Sequence, residues 1–167
     1  ITSPTALIFP VEELCARAKS AGIITDIDGA HAPGQIPLDL TAMDVDFYTG
    51  NCHKWLCSAK GAGFLYVRKE LQQHIEPVLI GWGLHRDPSL GSKFLDYYDW
   101  LGTNDYANYL SVPAAINFQQ KYNWDKVRFS CHQLLKETLE RINQRTDCQN
   151  IYADDSLYSQ LAIVELL

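Results

Sequence analysis

Ile23-Ile24-Thr25-Asp26-Ile27-Asp28, closed by Gly29, reads as a short buried strand that runs into a turn. Upstream, Val11, Leu14, Cys15 and Ala18 recur at helical spacing; Pro10 suits a first helical turn and Gly22 stops the helix. Downstream, Val45-Asp46-Phe47-Tyr48-Thr49 and Gly63-Phe64-Leu65-Tyr66-Val67-Arg68 form two further apolar strand segments. Strand and helix therefore alternate, which predicts an α/β layered domain with a mainly parallel sheet and helices on both faces.

Beyond Leu79 the chain turns irregular and aromatic through Trp82, Tyr97, Tyr98, Trp100 and Tyr106, with Gly81, Gly83, Pro88 and Gly91 interrupting any period. Long surface or interface loops are expected there. A helix is expected near Asn108 to Lys121. A stronger one follows, with Trp124, Val127, Cys131, Leu134, Leu135, Thr138 and Ile142 on one stripe and Asn123 as its N-cap. The run Leu161 to Leu167 suits the first strand of a small second domain. A start at Ile1 and a stop inside that apolar run are expected of a piece cut from something longer.

The 167 residues are 47% hydrophobic and 20% charged, a globular composition that excludes disorder, collagen-like repeats and a simple coiled coil. A net charge of -6 argues against broad electrostatic attraction to nucleic acid or anionic lipid. No apolar run is long enough for a membrane span, and no basic segment precedes an apolar signal stretch, so the cytoplasm is the expected location. Cys15, Cys52, Cys57, Cys131 and Cys148 are odd in number and irregular in spacing, which fits reduced thiols better than a disulfide framework.

Chemistry concentrates in Asp28-Gly-Ala-His31-Ala-Pro-Gly34, in Gly50-Asn51-Cys52-His53-Lys54-Trp55, and in Gly61-Ala-Gly63. Each cluster sits where a strand gives way to a turn. Ligands of open α/β sheets bind beyond the carboxyl ends of the strands, so an Asp, two His and a Lys could converge there. Singly, each has a structural reading: Asp28 as a turn cap, His31 as a satisfied loop histidine, Lys54 with its stem on the Trp55 ring. Cys52, His53 and Cys57, with Cys148 or another histidine, could supply soft ligands for zinc, but their spacing fits no paired ligand pattern and no metal is expected. Asp26-Ile-Asp28 is a DxD triplet without a glycine-rich phosphate loop, and the chain has neither a Walker nor a G-x-G-x-x-G pattern.

Taken together, Asp28-Gly-Ala-His31, Asp46-Phe-Tyr-Thr-Gly-Asn-Cys-His-Lys54-Trp, the Gly61-to-Arg68 strand and Gly102-Thr103 resemble the lysine neighbourhood of pyridoxal-phosphate enzymes of fold type I. The resemblance is to the class V aminotransferase family, in its isopenicillin N epimerase-like branch, and extends over most of the chain. It implies that residues 1–122 are the later part of the cofactor-binding large domain, and that 123–167 are a connecting helix and the start of a small C-terminal domain. It also implies pyridoxal 5'-phosphate as cofactor, an amino acid as small-molecule substrate, and epimerase, transaminase or lyase chemistry.

The same resemblance assigns roles residue by residue. Lys54 would form a Schiff base with the cofactor aldehyde, which requires an amine that can shed its proton near neutral pH. Asp28 would pair with the pyridine nitrogen and keep the ring cationic. His31 would lie beside the phenolic oxygen, where related desulfurases carry glutamine, and Asn51 and His53 would bond the phosphate. Thr103 would reach the phosphate of the neighbouring subunit's cofactor, which implies a homodimer, and Ser3 would stand near the ring face. From a different class, the chain could be a non-catalytic dimerisation or binding module that retains the fold.

Overall fold

Asp26–Asp28 (β1) lies parallel to Phe47–Asn51 (β2) in the computed structural model, which describes residues 1–85, 91–146 and 149–165. Asp26 stands opposite Phe47, Ile27 opposite Tyr48 and Asp28 opposite Thr49. Gly63–Val67 (β3) pairs antiparallel with the other edge of β2, so the three-stranded sheet is ordered β1-β2-β3 and is mixed rather than mainly parallel. The reason is the length of the connection: residues 52–62 fall short of the crossover of about a dozen or more residues that a parallel return needs. β1 is also shorter than its apolar run. Ile23 and Ile24 precede the first paired residue and stand 60% and 63% exposed.

The first helix, Val11–Ser20 (α1), has the expected bounds, with Glu12 and Glu13 in its first turn and Arg17 and Lys19 in its last, matching the helix dipole. It buries Cys15 against Ala32, Val45 and Tyr48, the core beneath the sheet. The aromatic middle of the chain holds a short helix, Lys93–Asp99 (α2), and two 3-10 turns, Lys69–His74 and Trp82–His85. Pro88 lies outside the described residues, as do Cys148, Leu166 and Leu167.

The helix expected over Asn108 to Lys121 is two, Ala107–Leu110 (α3) and Val112–Lys121 (α4), divided at Ser111. Pro113 explains the break, since it lacks the N–H that a continuous helix would use. Trp124–Thr146 (α5) follows, and Asn123 enters it in the left-handed region at φ +48° with its carbonyl accepting from Lys126 and Val127. The packed face of α5 centres on Leu135 and Leu139 against Tyr152 and Tyr158, while Leu134 stands 65% exposed. No strand forms over residues 161–165. Ala162, Ile163 and Val164 instead pack on that α5 cluster beside Leu7, and no neighbouring strand among the described residues offers them a ladder.

Asp46 clamps the start of the sheet. Its carboxylate accepts from the Thr25 N–H at 2.9 Å, the Thr25 hydroxyl at 3.2 Å and Arg68 Nε at 2.7 Å, while its own N–H donates to Thr25 Oγ1 at 3.0 Å. Burial alone would push this carboxyl up. The bonds from Thr25 and Arg68 outweigh burial and hold it below the usual carboxylate range. A carboxyl depressed by folding stabilises the fold above its unfolded value, about 3.9, and loses that contribution as pH falls through the folded value. Asp46→Asn is expected to cost about 1–3 kcal/mol at neutral pH and to flatten the acid limb of the stability curve, read by urea unfolding across pH. An unchanged acid limb would place the acid-sensitive interaction elsewhere.

Candidate functional site

Because β1 and β2 run parallel and in register, Asp28 and the turn after Asn51 emerge at the same edge of the sheet. Gly29 follows Asp28 and donates its N–H to the Thr49 carbonyl at 2.8 Å. A Cβ at this position would overlap the Tyr48 ring, so only glycine lets the chain turn here over a buried tyrosine. Burial and then the nearby Asp28 charge push the Tyr48 hydroxyl up to about 12. Asp28 itself is exposed, with Oδ1 accepting from the Ala30 N–H at 3.0 Å, so it also serves as the turn cap.

The turn brings His31 back over the strand end. Lys54 Nζ lies 3.0 Å from His31 Nε2, and the Trp55 indole donates Nε1–H to His31 Nδ1 at 3.3 Å. Burial holds the imidazole below its ordinary value, the Lys54 charge adds to that, and Asp28 pulls the other way. Asp28, His31 and Lys54 are therefore one electrostatic group, although they come from two turns.

The turn carrying Lys54 is held from several elements. Cys52 N–H and His53 Nδ1 donate to the Ala62 carbonyl at 3.0 and 2.8 Å, and Ser58 N–H donates to the Cys52 carbonyl at 3.0 Å. From α4, Gln119 Nε2 donates to the Trp55 carbonyl at 2.9 Å. Ser111 Oγ accepts from the Ala59 N–H at 2.9 Å, and the Trp124 indole donates to the Gly34 carbonyl at 2.8 Å. Sequence reasoning placed Trp55 only beside the lysine stem and assigned nothing to Gln119. Gln119 is 8% exposed in the structure, but its local sequence, Phe118-Gln119-Gln120-Lys121, carries no signal that separates it from a surface glutamine.

Of the expected site residues, His31 and Lys54 are in contact, Asp28 lies near enough for its charge to act on the His31 ring, and Asn51 and His53 sit on the same turn as Lys54. Asn51 ends β2 opposite Gly63, and His53 has Nδ1 committed to Ala62, which leaves Nε2 for any further partner. Thr103 and Ser3 are exposed residues of separate turns, and no hydrogen bond among the described residues links either to Lys54. Cys52 is buried with its thiol pushed up by burial, whereas Cys57 is exposed. Among the described residues no group of three or more His, Cys, Asp or Glu could hold a metal ion. The donor set of an amine, an imidazole and a carboxylate suits an aldehyde-bearing ligand with a basic ring nitrogen, captured by the amine and paired with the carboxylate.

A sequence model of the aminotransferase class-V family matches residues 2–164. An isopenicillin N epimerase from Amycolatopsis lactamdurans is 36% identical over 152 residues, covering 86% of this chain and 38% of the relative. The apo cysteine desulfurase of Thermococcus onnurineus superposes with a TM-score of 0.80 at 25% identity, covering 95% of this chain and 41% of that one. A mutant of C-DES with glycine covalently linked to its PLP cofactor superposes at 0.73 with 22% identity, over 90% of this chain and 42% of the other, which shows the shared fold. The chain thus spans about two-fifths of the length of these relatives.

The depressed imidazole is directly measurable. In an NMR titration of the intact protein, the His31 midpoint is expected below the roughly 6.5 of a free imidazole, and Lys54→Met should raise it by removing the charge that Lys54 carries once it is protonated at that pH. A histidine depressed by folding stabilises the fold above its unfolded value and loses that contribution as pH falls below it. An unmoved midpoint in Lys54→Met would show that the two side chains are not coupled.

Proposed function

We propose, from the premise that this chain belongs to the class V aminotransferase family, that it is the part of a pyridoxal-phosphate enzyme acting on an amino acid that carries the cofactor's lysine, Lys54. The observation that carries the reading is Lys54 Nζ set 3.0 Å from His31 Nε2, with Asp28 near enough to act on the same ring. Pyridoxal phosphate, the cofactor of this family, supplies when bound an electron-withdrawing ring that stabilises negative charge at a substrate α-carbon.

This chain's residues hold and steer that group. Lys54 would hold it through Nζ and would be the group placed to move a proton at the substrate α-carbon. Asp28, exposed at the strand end, would keep a proton on the pyridine nitrogen through a charge-assisted hydrogen bond. His31 would lie beside the phenolic oxygen. Asn51 and His53 bind the phosphate from the Lys54 turn, His53 through Nε2 in its protonated form because Nδ1 already serves Ala62. Ser3 stands near the ring face.

Thr103 completes the phosphate site of a second subunit, so the working unit is a homodimer. Val78, Leu79, Ile80 and Leu110, at 98%, 67%, 68% and 78% exposed, support a covered surface in that region. The division into a large-domain part, 1–122, and a connecting helix with the start of a small domain, 123–167, follows the same family plan. Among the described residues no helix is long and apolar enough to cross a membrane. The free thiols of Cys15, Cys52, Cys57 and Cys131 support a reducing, cytoplasmic setting. Epimerisation, transamination and elimination share these groups and differ in how the substrate is held.

Borohydride treatment of the intact protein with pyridoxal phosphate is expected to fix the cofactor irreversibly to the peptide containing Lys54, seen by mass spectrometry, and to leave Lys54→Ala unlabelled. Label on another lysine in the wild type would move the site. Asp28→Asn is expected to keep the cofactor attached but to lower turnover on the order of a hundredfold or more, since it removes the charge opposite the ring nitrogen. Full turnover in that variant would assign the role to another carboxylate.

A further inference from the structure

Trp55 follows Lys54 directly, and both side chains end on the same imidazole, Nζ at 3.0 Å from Nε2 and the indole nitrogen at 3.3 Å from Nδ1 of His31. An indole N–H donates and never accepts, so Nδ1 must be the acceptor. A neutral imidazole carries one ring hydrogen, which then sits on Nε2 and points at Nζ. An ammonium at Lys54 would set hydrogen against hydrogen at Nε2. The opposite tautomer would suit the ammonium but would oppose the indole N–H with a second N–H at Nδ1. One protonation pattern satisfies both contacts: indole to Nδ1, and Nε2–H to the lone pair of Nζ.

We propose that Trp55 is a positioning residue that holds His31 in its Nε2–H tautomer, so that His31 offers Lys54 a hydrogen and favours the free amine that captures an aldehyde. The proposal rests on the reading of Lys54 as the cofactor's amine. The main chain is built to keep the indole in place. Gln119 of α4 donates to the Trp55 carbonyl at 2.9 Å, and on the other side Gly34 packs so near that carbonyl that a Cβ would overlap it. The imidazole faces Asp28 at the end of β1, the amino group of Ile1 and, once it is protonated, Lys54 itself. Of these only the carboxylate favours the doubly protonated ring, in which Nδ1 could no longer accept from the indole.

The test is heteronuclear NMR of the histidine ring nitrogens in the intact, cofactor-free protein near neutral pH, followed by the same measurement on Trp55→Phe. For His31 the wild type should show an unprotonated Nδ1 and a protonated Nε2. Trp55→Phe should lose that pattern to a mixture or to the Nδ1–H form. The variant should also capture pyridoxal phosphate on the order of tenfold more slowly at neutral pH, with the rate restored at higher pH. An Nδ1–H ring in the wild type overturns the proposal whether or not the variant folds, and so does an unchanged ring pattern or capture profile in a folded Trp55→Phe. The ring measurement needs no cofactor. A correct tautomer with borohydride label on another lysine would sink the functional reading alone, while label on Lys54 with the wrong tautomer would sink this inference alone.

Discussion

The parallel pairing of β1 with β2, pinned at its start by Asp46 and Thr25, is the constraint on which the site depends. Thr25 and Asp46 each sit immediately before their strand, and their reciprocal bonds extend the ladder one step in side-chain form. A slip of one residue would turn Asp28 to the other face and move Tyr48 out from under Gly29. Arg68, at the end of β3, bonds the Asp46 side chain and its carbonyl, so the third strand is tied to the same clamp. Three strands are thus registered at the end remote from the ligand groups, and the ligand end inherits its geometry from them.

At that ligand end the backbone leaves regular structure, and order comes from outside the sheet. The Lys54 turn is bonded to Ala62 on the way into β3, to Gln119 and Ser111 from the helical side, and the neighbouring His31 turn is bonded to Trp124 at the head of α5. Each such bond contributes about 1 kcal/mol. Their effect is positional: they fix where Lys54 Nζ stands against His31, and in the role proposed for it an amine that must meet one carbon atom would lose rate steeply when displaced by an ångström. Gln119 is buried with its amide on the Trp55 carbonyl, and the helix break at Ser111 puts a hydroxyl within reach of Ala59.

What could be read from the chain was whatever local pattern decides. The period of α1, the apolar strands and the strand-end clusters at Asp28 and Lys54 were legible because burial and turn chemistry write themselves into adjacent residues. The antiparallel return of β3 was legible in principle, since the connection is short, but alternation of helix and strand pointed to parallel pairing. The strand expected at Leu161 failed because apolar character does not say what covers a segment, and here α5 does. Trp55 and Gln119 were missed as site residues for a related reason. Their partners, His31 and the Trp55 carbonyl, are joined by chain topology and by no local spacing.

Gln35 shows how far that topology reaches. It is fully buried; its amide donates to the His31 carbonyl at 3.0 Å, and its Oε1 accepts from the Gln160 N–H at 3.4 Å. Its main-chain carbonyl accepts from Ser159 Oγ and Gln160 Nε2, both at 3.2 Å. Ser159 in turn is held to α5, where His132 Nδ1 donates to its carbonyl at 2.9 Å. A polar group buried this deeply is costly unless every bond is made, so the His31 turn and the segment after Tyr158 must order together. The imidazole that meets Lys54 therefore takes its position from β1 on one side and from the far end of the chain on the other. A change that loosens residues 159–160 would reach the amine through Gln35 without touching it.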